Sequence, residues 1–294
     1  MSQRATQSMT AHSSDERSRR QYWAEQMEAA HAFMLSVRDH PIDECEEPVA
    51  RIDTAAAQAG VDAAFSDRPN ATGGPRMYLL RETLIDDLLS VADALNGHGL
   101  RLVVEDGFRT REMQTQLART PHVIERVVER TVWETKSDQP SLDLLVRRLG
   151  ALIAASPKVG THMSATAVDV SVVDRRTGRE LERGGPYLEI SERTPMASPF
   201  TTPAEREARE LITAKMAERG FVAYPYEFWH YSKADAFDRV LRGSPDPAAY
   251  GPVDIDNRTS SVQSIPHPTD ALNDPDDLAP LLDDALRQLA QGQP

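Results

Sequence analysis

The sequence has very little cysteine: Cys45 is the one cysteine among 294 residues. A single cysteine cannot form an internal disulfide, and a structural zinc site built from a cysteine cluster is excluded. Such sparing use of cysteine fits a reducing compartment. The sequence also has no apolar run long enough to span a membrane, and residues 1–20 lack the apolar core of a secretory signal. We therefore predict a cytoplasmic protein without a transmembrane segment.

Positive charge is also scarce. The chain has 33 Lys and Arg against 46 Asp and Glu, which gives a formal net charge of −13. A chain of this charge repels nucleic acid and anionic membrane surfaces unless it carries a local basic patch, and the nearest candidate, Arg17 to Arg20, is short. We therefore expect neither nucleic acid nor a membrane as a partner. The oligomeric state is left open by the sequence.

Composition divides the chain into three parts. Residues 1–20 are polar and are predicted to form a disordered leader, whereas residues 21–243 are predicted to form the folded domain. Residues 244–294 contain eight of the twenty prolines, and nine acidic residues against two basic ones. This last part is predicted to be an acidic, mostly extended tail with one short helix near residues 279–289.

Hydrophobic periodicity indicates a mixture of several helices and few strands. Apolar residues recur at helical spacing over residues 21–38, 82–95 and 141–154, and the start signal Thr202-Pro203 predicts a further helix that runs to about Arg219. Short apolar runs at 102–104 and 167–173 are typical of strands, and in the second run Val168, Val170 and Val172 alternate with Asp169. This order of elements predicts an α+β fold.

Two segments concentrate side chains that bind metals. The first runs from Gly160 to Asp169 and contains His162, and the second begins 58 residues later with Glu227-Phe-Trp-His230. Two imidazoles and one carboxylate form a ligand set compatible with catalytic zinc, which needs three protein ligands and an open position for water. Taken singly, each residue has an ordinary alternative. Asp169 could pair with backbone N–H groups or an arginine, and His162 could be a loop histidine without a role.

Glu227 and Arg109 could complete a hydrolytic site. A glutamate that is not itself a ligand can take a proton from water and deliver it to a leaving amine. Residues three apart in a strict strand point to opposite faces, so Glu227 and His230 converge only where the strand bends or ends. Arg109 follows a predicted strand and is a candidate donor to the oxyanion of the reaction. The alternative for Arg109 is a surface ion pair with Glu112.

Together these segments resemble the zinc D-alanyl-D-alanine dipeptidases of the M15 peptidases, the VanX-like enzymes. The family pattern is Ser-x-His-x-x-Gly-x-Ala-x-Asp, then Glu-x-Trp-His, with an upstream Asp-Gly-Tyr-Arg. This chain has matching residues at 160–169 and 227–230, and Asp106-Gly-Phe-Arg109 upstream. The resemblance covers about residues 49–232.

The resemblance implies a small α+β domain with a central antiparallel sheet flanked by helices, and a cytoplasmic enzyme that cleaves a free dipeptide. It implies that His162, Asp169 and His230 hold Zn²⁺, that Glu227 is the general base and acid, and that Arg109 stabilises the tetrahedral intermediate. The chain departs from the pattern where Gly160 replaces Ser and Ala165 replaces Gly, and also where Phe108 replaces Tyr and lacks its hydroxyl. The family's acidic residue for the substrate amino group corresponds to a stretch near residues 189–193.

These observations favour a zinc dipeptidase that cleaves a D-alanyl-D-alanine-type dipeptide, acting in cell-wall metabolism. The departures at Gly160 and Ala165 leave open a second alternative, an amidase or carboxypeptidase that acts on a peptidoglycan fragment or a specialised peptide metabolite. A third alternative is a non-catalytic metal-binding protein on the same scaffold, with the acidic tail as its contact surface.

Overall fold

A computed structural model describes residues 2–256 and 258–292, with side chains from residue 15 onward. The helices are α1 Ser2–Asp39, α2 Ile52–Ala59, α3 Glu82–Gly97, α4 Arg111–Leu117, α5 Pro121–Thr135, α6 Leu142–Leu152, α7 Pro203–Ala217, α8 Ala236–Leu241 and α9 Pro275–Ala290. The strands are β1 Val49–Arg51, β2 Ala63–Phe65, β3 Leu79–Arg81, β4 Leu100–Asp106, β5 Ala167–Asp174, β6 Val222–Ala223, β7 His230–Ser232, β8 Val253–Ile255 and β9 Val262–Ser264. No helix among these described residues has the length and apolar character needed to cross a membrane.

The central sheet has five strands in the order β2-β4-β5-β7-β6. The β4–β5, β5–β7 and β7–β6 pairs are antiparallel, as expected, whereas β2 pairs with β4 in parallel at one edge. The connection from β2 to β4 passes through β3 and α3, and a crossover of this length allows a parallel pair. The predicted α+β class is confirmed, with a sheet that is antiparallel except at its β2 edge.

The main core lies between one face of this sheet and the helices. Val168, Val170 and Val172 of β5 are fully buried in it, together with Leu88 and Leu95 of α3. The alternation in β5 therefore has the predicted effect, because Asp169 is turned to the opposite face from the valines. This arrangement leaves the opposite face of β5 free to carry polar side chains.

The N-terminal part of the chain differs from the expected leader. Helix α1 has a helical backbone from Ser2, and residue 1 and the side chains of residues 2–14 lie outside the description. Glu16 accepts a hydrogen bond from the Trp133 indole at 2.7 Å, and Arg19 pairs with Glu192 at 2.7 Å. The prediction of disorder is wrong for residues 15–20, because composition does not reveal ion pairs to distant parts of the chain.

The C-terminal part is also more ordered than expected. Strands β8 and β9 form a hairpin, and α9 is longer than the short helix that was predicted. Leu278, Leu282 and Ala285 lie on one face of α9 and pack in the same cluster as Ile124 and Val128 of α5. The acidic residues obscured this apolar stripe, which recurs at helical spacing.

If α9 is an integral part of the fold, Leu282→Ala should destabilise the protein. Leu282 is fully buried, so we expect its truncation to lower the free energy of unfolding by about 2–5 kcal/mol, measured by urea denaturation. The control is Leu142→Ala, because Leu142 is 39% exposed and should change stability by less than about 0.5 kcal/mol. Equal stability of the two variants would show that the tail contributes nothing to the fold.

Candidate metal centre

Three separate pieces of the chain bring His162, Asp169 and His230 together. Asp169 lies on β5 and His230 begins β7, and the two residues are direct partners in the antiparallel register. His162 lies in a short 3-10 turn, Thr161–Ser164, immediately before β5. Cross-strand partners have neighbouring side chains, so this pairing alone holds the carboxylate beside one imidazole.

The three side chains meet at one carboxylate oxygen. Asp169 Oδ1 lies 3.2 Å from His162 Nε2 and 2.9 Å from His230 Nδ1. Within the described residues, this is a group whose potential ligand atoms all lie within 4.8 Å of one another. All three residues are buried. The structure therefore assembles the set of residues that the sequence singled out.

The outer nitrogen of each imidazole also has a partner. His162 Nδ1 lies 2.6 Å from the Gly107 carbonyl oxygen, and His230 Nε2 lies 2.8 Å from Thr161 Oγ1. A carbonyl oxygen can only accept, so Nδ1 of His162 is the donor to it, and Nε2 is the nitrogen that faces Asp169. Thr161 can accept from His230 in the same way. Such outer partners orient the imidazoles of metal sites, so the donor set fits a divalent cation such as zinc.

The second oxygen of Asp169 is held from the other side. Asp169 Oδ2 accepts hydrogen bonds from Tyr187 Oη at 2.8 Å and from Arg109 Nη2 at 3.2 Å. Burial by itself would raise the pKa of Asp169, but the interactions with His162 and His230 hold that pKa well below its usual range. The carboxylate is consequently ionised and fixed in orientation.

Arg109 lies inside the site and not on the surface. It is 13% exposed and donates to Asp106 Oδ2 at 2.8 Å in addition to its contact with Asp169. The alternative of a surface pair with Glu112 is therefore not the arrangement observed. Asp106 also pairs with Arg76 at 2.7 Å, so it holds both arginines at the edge of the site.

Glu227 lies in the tight turn that precedes β7. The Glu227 N–H donates to the Tyr224 carbonyl and the His230 N–H donates to the Glu227 carbonyl, both at 3.3 Å. Because β7 begins only at His230, Glu227 and His230 are not constrained to opposite faces of a strand. Burial and, to a lesser extent, the charge of Asp169 raise the pKa of Glu227 to about 8, against the opposing effects of Arg109 and a Trp229 hydrogen bond.

A cavity of about 320 Å³ adjoins this cluster. It is lined by His162, Asp169, His230, Glu227 and Arg109. Further polar side chains in its lining include Arg76, Asp106, Gln114, Tyr187 and Glu189. The five residues selected from the sequence thus share one cavity.

Three residues that position this group had no role assigned from the sequence: Tyr187, Arg76 and Gly107. Tyr187 follows the turn at Gly184-Gly185-Pro186, and this aromatic residue after a glycine-rich turn was the one local signal for it. The carbonyl of Gly107 and the guanidinium of Arg76 act through contacts between distant segments, which no local pattern reveals.

The departures at Gly160 and Ala165, on either side of His162, have distinct surroundings. Ala165 has a φ of 55°, in the left-handed region that glycine adopts most easily, so the alanine is held in a conformation unfavourable to its side chain. A Cβ added at Gly160 would meet Ala154 and Pro157 at 3.4 Å. Thr161, next to Gly160, lines the cavity and contacts His230.

Comparison with known proteins identifies the family. The family model for peptidase M15, described as D-ala-D-ala dipeptidase, matches residues 50–247. The chain belongs to the M15 peptidase family. This M15 chain is therefore a metallopeptidase, and the matched segment contains all five residues discussed above.

Curated relatives of this M15 peptidase are distant. It is 26% identical to a D-alanyl-D-alanine dipeptidase of Escherichia coli strain K12 over 159 residues, covering 54% of this chain and 68% of the relative. It is 23% identical to a D-alanyl-D-alanine dipeptidase of Enterococcus faecium over 195 residues, covering 64% of this chain and 89% of the relative. Both relatives have the same name as the family model.

Two solved structures are similar at low scores. The LD-carboxypeptidase LdcB matches with a TM-score of 0.34 and 17% identity, covering 68% of this chain and 74% of that one. The vancomycin resistance D,D-pentapeptidase VanY, in complex with Zn(II), matches with a TM-score of 0.35 and 16% identity, covering 69% of this chain and 93% of that one. At these scores neither structure supports a detailed superposition of the sites.

Substitution of Gly107 should disturb both the fold and the site. A Cβ at this position would lie 2.8 Å from the Met77 carbonyl oxygen, a backbone atom that cannot rotate away. We expect Gly107→Ala to lower the free energy of unfolding by about 1–3 kcal/mol, measured by chemical denaturation in the presence of a chelator.

The matched control for this substitution is Gly97→Ala. A Cβ at Gly97 meets nothing within 4 Å, and Gly97 lies at the end of helix α3. We expect Gly97→Ala to leave stability unchanged or to raise it by up to about 1 kcal/mol. A Gly107→Ala variant as stable as Gly97→Ala would contradict the close approach of Gly107 to Met77.

Proposed function

We propose that this M15 peptidase hydrolyses a short peptide with zinc bound by His162, Asp169 and His230. The observation that carries the proposal is the meeting of two oriented imidazole nitrogens and an ionised carboxylate beside a cavity that also contains Glu227. Bound there, zinc would lower the pKa of a water molecule and polarise the peptide carbonyl. The remaining steps depend on side chains of the chain itself.

We assign the proton transfers to Glu227. It is not one of the three clustered residues, and it lies in the wall of the same cavity. As a general base it would accept a proton from the attacking water, and as a general acid it would deliver that proton to the nitrogen of the leaving amine. The hydrogen bond from Trp229 would hold the carboxyl group in place between these steps.

We propose that Arg109 stabilises the oxyanion of the tetrahedral intermediate. Its Nε and Nη2 atoms are committed to Asp106 and Asp169, which fix the orientation of the guanidinium. Its Nη1 atom makes a longer contact of 3.3 Å with Gln114, which also lines the cavity. We therefore propose that Nη1 is the donor that a substrate oxygen approaches.

We propose a D-alanyl-D-alanine-type dipeptide as the substrate class, in cytoplasmic turnover of cell-wall precursors. The names of the curated relatives support this choice, and the single exposed cysteine fits a reducing compartment. Glu189 is our candidate for binding the substrate ammonium group. It lines the cavity, and its ion pair with Arg126 is long, at 3.9 Å, so its carboxylate retains capacity for a second cation.

The metal site can be tested directly by metal analysis. The purified wild-type protein should bind about one equivalent of zinc, and His162→Ala should lose most of it, because a catalytic zinc needs three protein ligands. The control is His122→Ala, since His122 lines the same cavity but lies outside the cluster. Retention of zinc by His162→Ala, or an equal loss in His122→Ala, would contradict the assigned ligands.

The role of Glu227 can be separated from metal binding. Glu227→Gln keeps the shape of the side chain but cannot accept the proton, so it should retain zinc and lose hydrolysis of D-Ala-D-Ala by about 10²–10⁴-fold. The measurement is product release together with zinc content. Glu112→Gln, at an exposed position on the neighbouring helix α4, serves as the control. Unchanged turnover in Glu227→Gln would contradict the proposed mechanism.

A further inference from the structure

Six aliphatic residues of the cavity lining form what we call its apolar wall. Its apolar residues come from the ends of α4 and α6, the start of α5 and the loop after Tyr187. They are Leu117, Val123, Leu152, Ile153, Leu188 and Ile190. An apolar wall of this kind gains free energy when an apolar group replaces water against it.

Leu188 is the most unusual member of this wall. It is 42% exposed, one of the three large hydrophobic residues singled out by their exposure within the described part of the chain. Its φ is 67°, in the left-handed region that a branched side chain rarely adopts. Unfavourable backbone conformations of this kind cluster at ligand-binding positions, where the surrounding structure holds them.

The surrounding loop does hold Leu188 in place. Thr194 donates a hydrogen bond to the Glu189 carbonyl oxygen at 2.7 Å, and the Glu189 N–H donates to the Pro186 carbonyl oxygen at 3.1 Å. The Thr194 N–H donates to the Ser191 carbonyl oxygen, and the Ser191 N–H donates to the Thr194 hydroxyl. The hydrogen bonds of this turn therefore hold Leu188 in its exposed position.

In the sequence, Leu188 also lies between two residues of the proposed active site. Its neighbour Tyr187 donates to Asp169, and its other neighbour Glu189 is the candidate for binding the substrate ammonium group. Ile190, the next residue, lines the same cavity. A substrate residue whose ammonium group reaches Glu189 would thus have apolar side chains on both sides.

We propose that the preferred substrate is a dipeptide whose N-terminal residue carries a large apolar side chain, with Leu188 as a determinant of that specificity. The inference rests on the proposed function, since it uses the same cavity and the same ammonium site. A methyl group would leave most of the apolar wall in contact with water. A leucine or phenylalanine side chain would cover more of it.

The test compares zinc-loaded wild-type protein on D-Ala-D-Ala, D-Val-D-Ala, D-Leu-D-Ala and D-Phe-D-Ala. One methylene group in an apolar pocket changes discrimination by roughly 10–200-fold, so kcat/KM for D-Leu-D-Ala should exceed that for D-Ala-D-Ala by at least about tenfold. Leu188→Ala should reduce this ratio by about tenfold. Because Leu188 is exposed, its truncation leaves the folded core intact.

The matched control is Leu142→Ala, a leucine of similar exposure (39%) that lies outside the cavity. It should leave the ratio at the wild-type value. A second readout is calorimetric binding of the same uncleaved dipeptides to the zinc-loaded Glu227→Gln variant, where the preference for D-Leu-D-Ala should persist.

The outcomes separate this inference from the proposed function. Hydrolysis that is fastest for D-Ala-D-Ala, or a ratio unaffected by Leu188→Ala, would overturn the specificity while leaving the peptidase activity standing. If no dipeptide is hydrolysed by zinc-loaded protein, the proposed function fails. In that case, equal affinities of Glu227→Gln for D-Ala-D-Ala and D-Leu-D-Ala would overturn the specificity as well.

Discussion

The burial of one negative charge governs the arrangement of this molecule. Asp169 lies between Val168 and Val170 on the central strand, 2% exposed, and a carboxylate in that position costs free energy unless it is paired. The structure meets this requirement on both oxygens, with the two imidazoles at Oδ1 and with Tyr187 and Arg109 at Oδ2.

The partners of Asp169 are themselves fixed by second contacts. Gly107 holds His162 through its carbonyl oxygen, and Asp106, the residue before it, holds Arg109. The end of β4 therefore orients one residue on each side of the carboxylate. This explains why a glycine stands at 107: a side chain there would collide with Met77 before the carbonyl could reach His162.

The sequence was sufficient to select His162, Asp169, His230, Glu227 and Arg109, because each belongs to a motif that combines chemically suited residues at short spacing. The structure brings these residues to one cavity, and their roles remain predictions. The alternation of β5 was also readable, because burial on one face leaves a pattern with a period of two.

Other features had no local pattern from which to be predicted. Tyr187 and Gly107 meet the site only after distant segments fold together, and the parallel pairing of β2 depends on a long crossover. Composition was misleading at both ends of the chain. Residues 15–20 are polar but paired with distant partners, and α9 is acidic on one face but apolar on the other.

The two ends of the chain also contribute to the cavity of this enzyme. The three candidate metal ligands and the candidate catalytic residues Glu227 and Arg109 lie within the segment matched by the family model, residues 50–247, whereas Met34 of α1 contributes to the cavity from outside it. Helix α9, also outside it, supports α5, whose first turn forms part of the apolar wall. The six residues of the apolar wall lie within the matched segment as well, so the flanks add Met34 and the support of α5 to a cavity that this segment builds. Changes in the flanks could alter what enters the cavity without touching the residues that act on it.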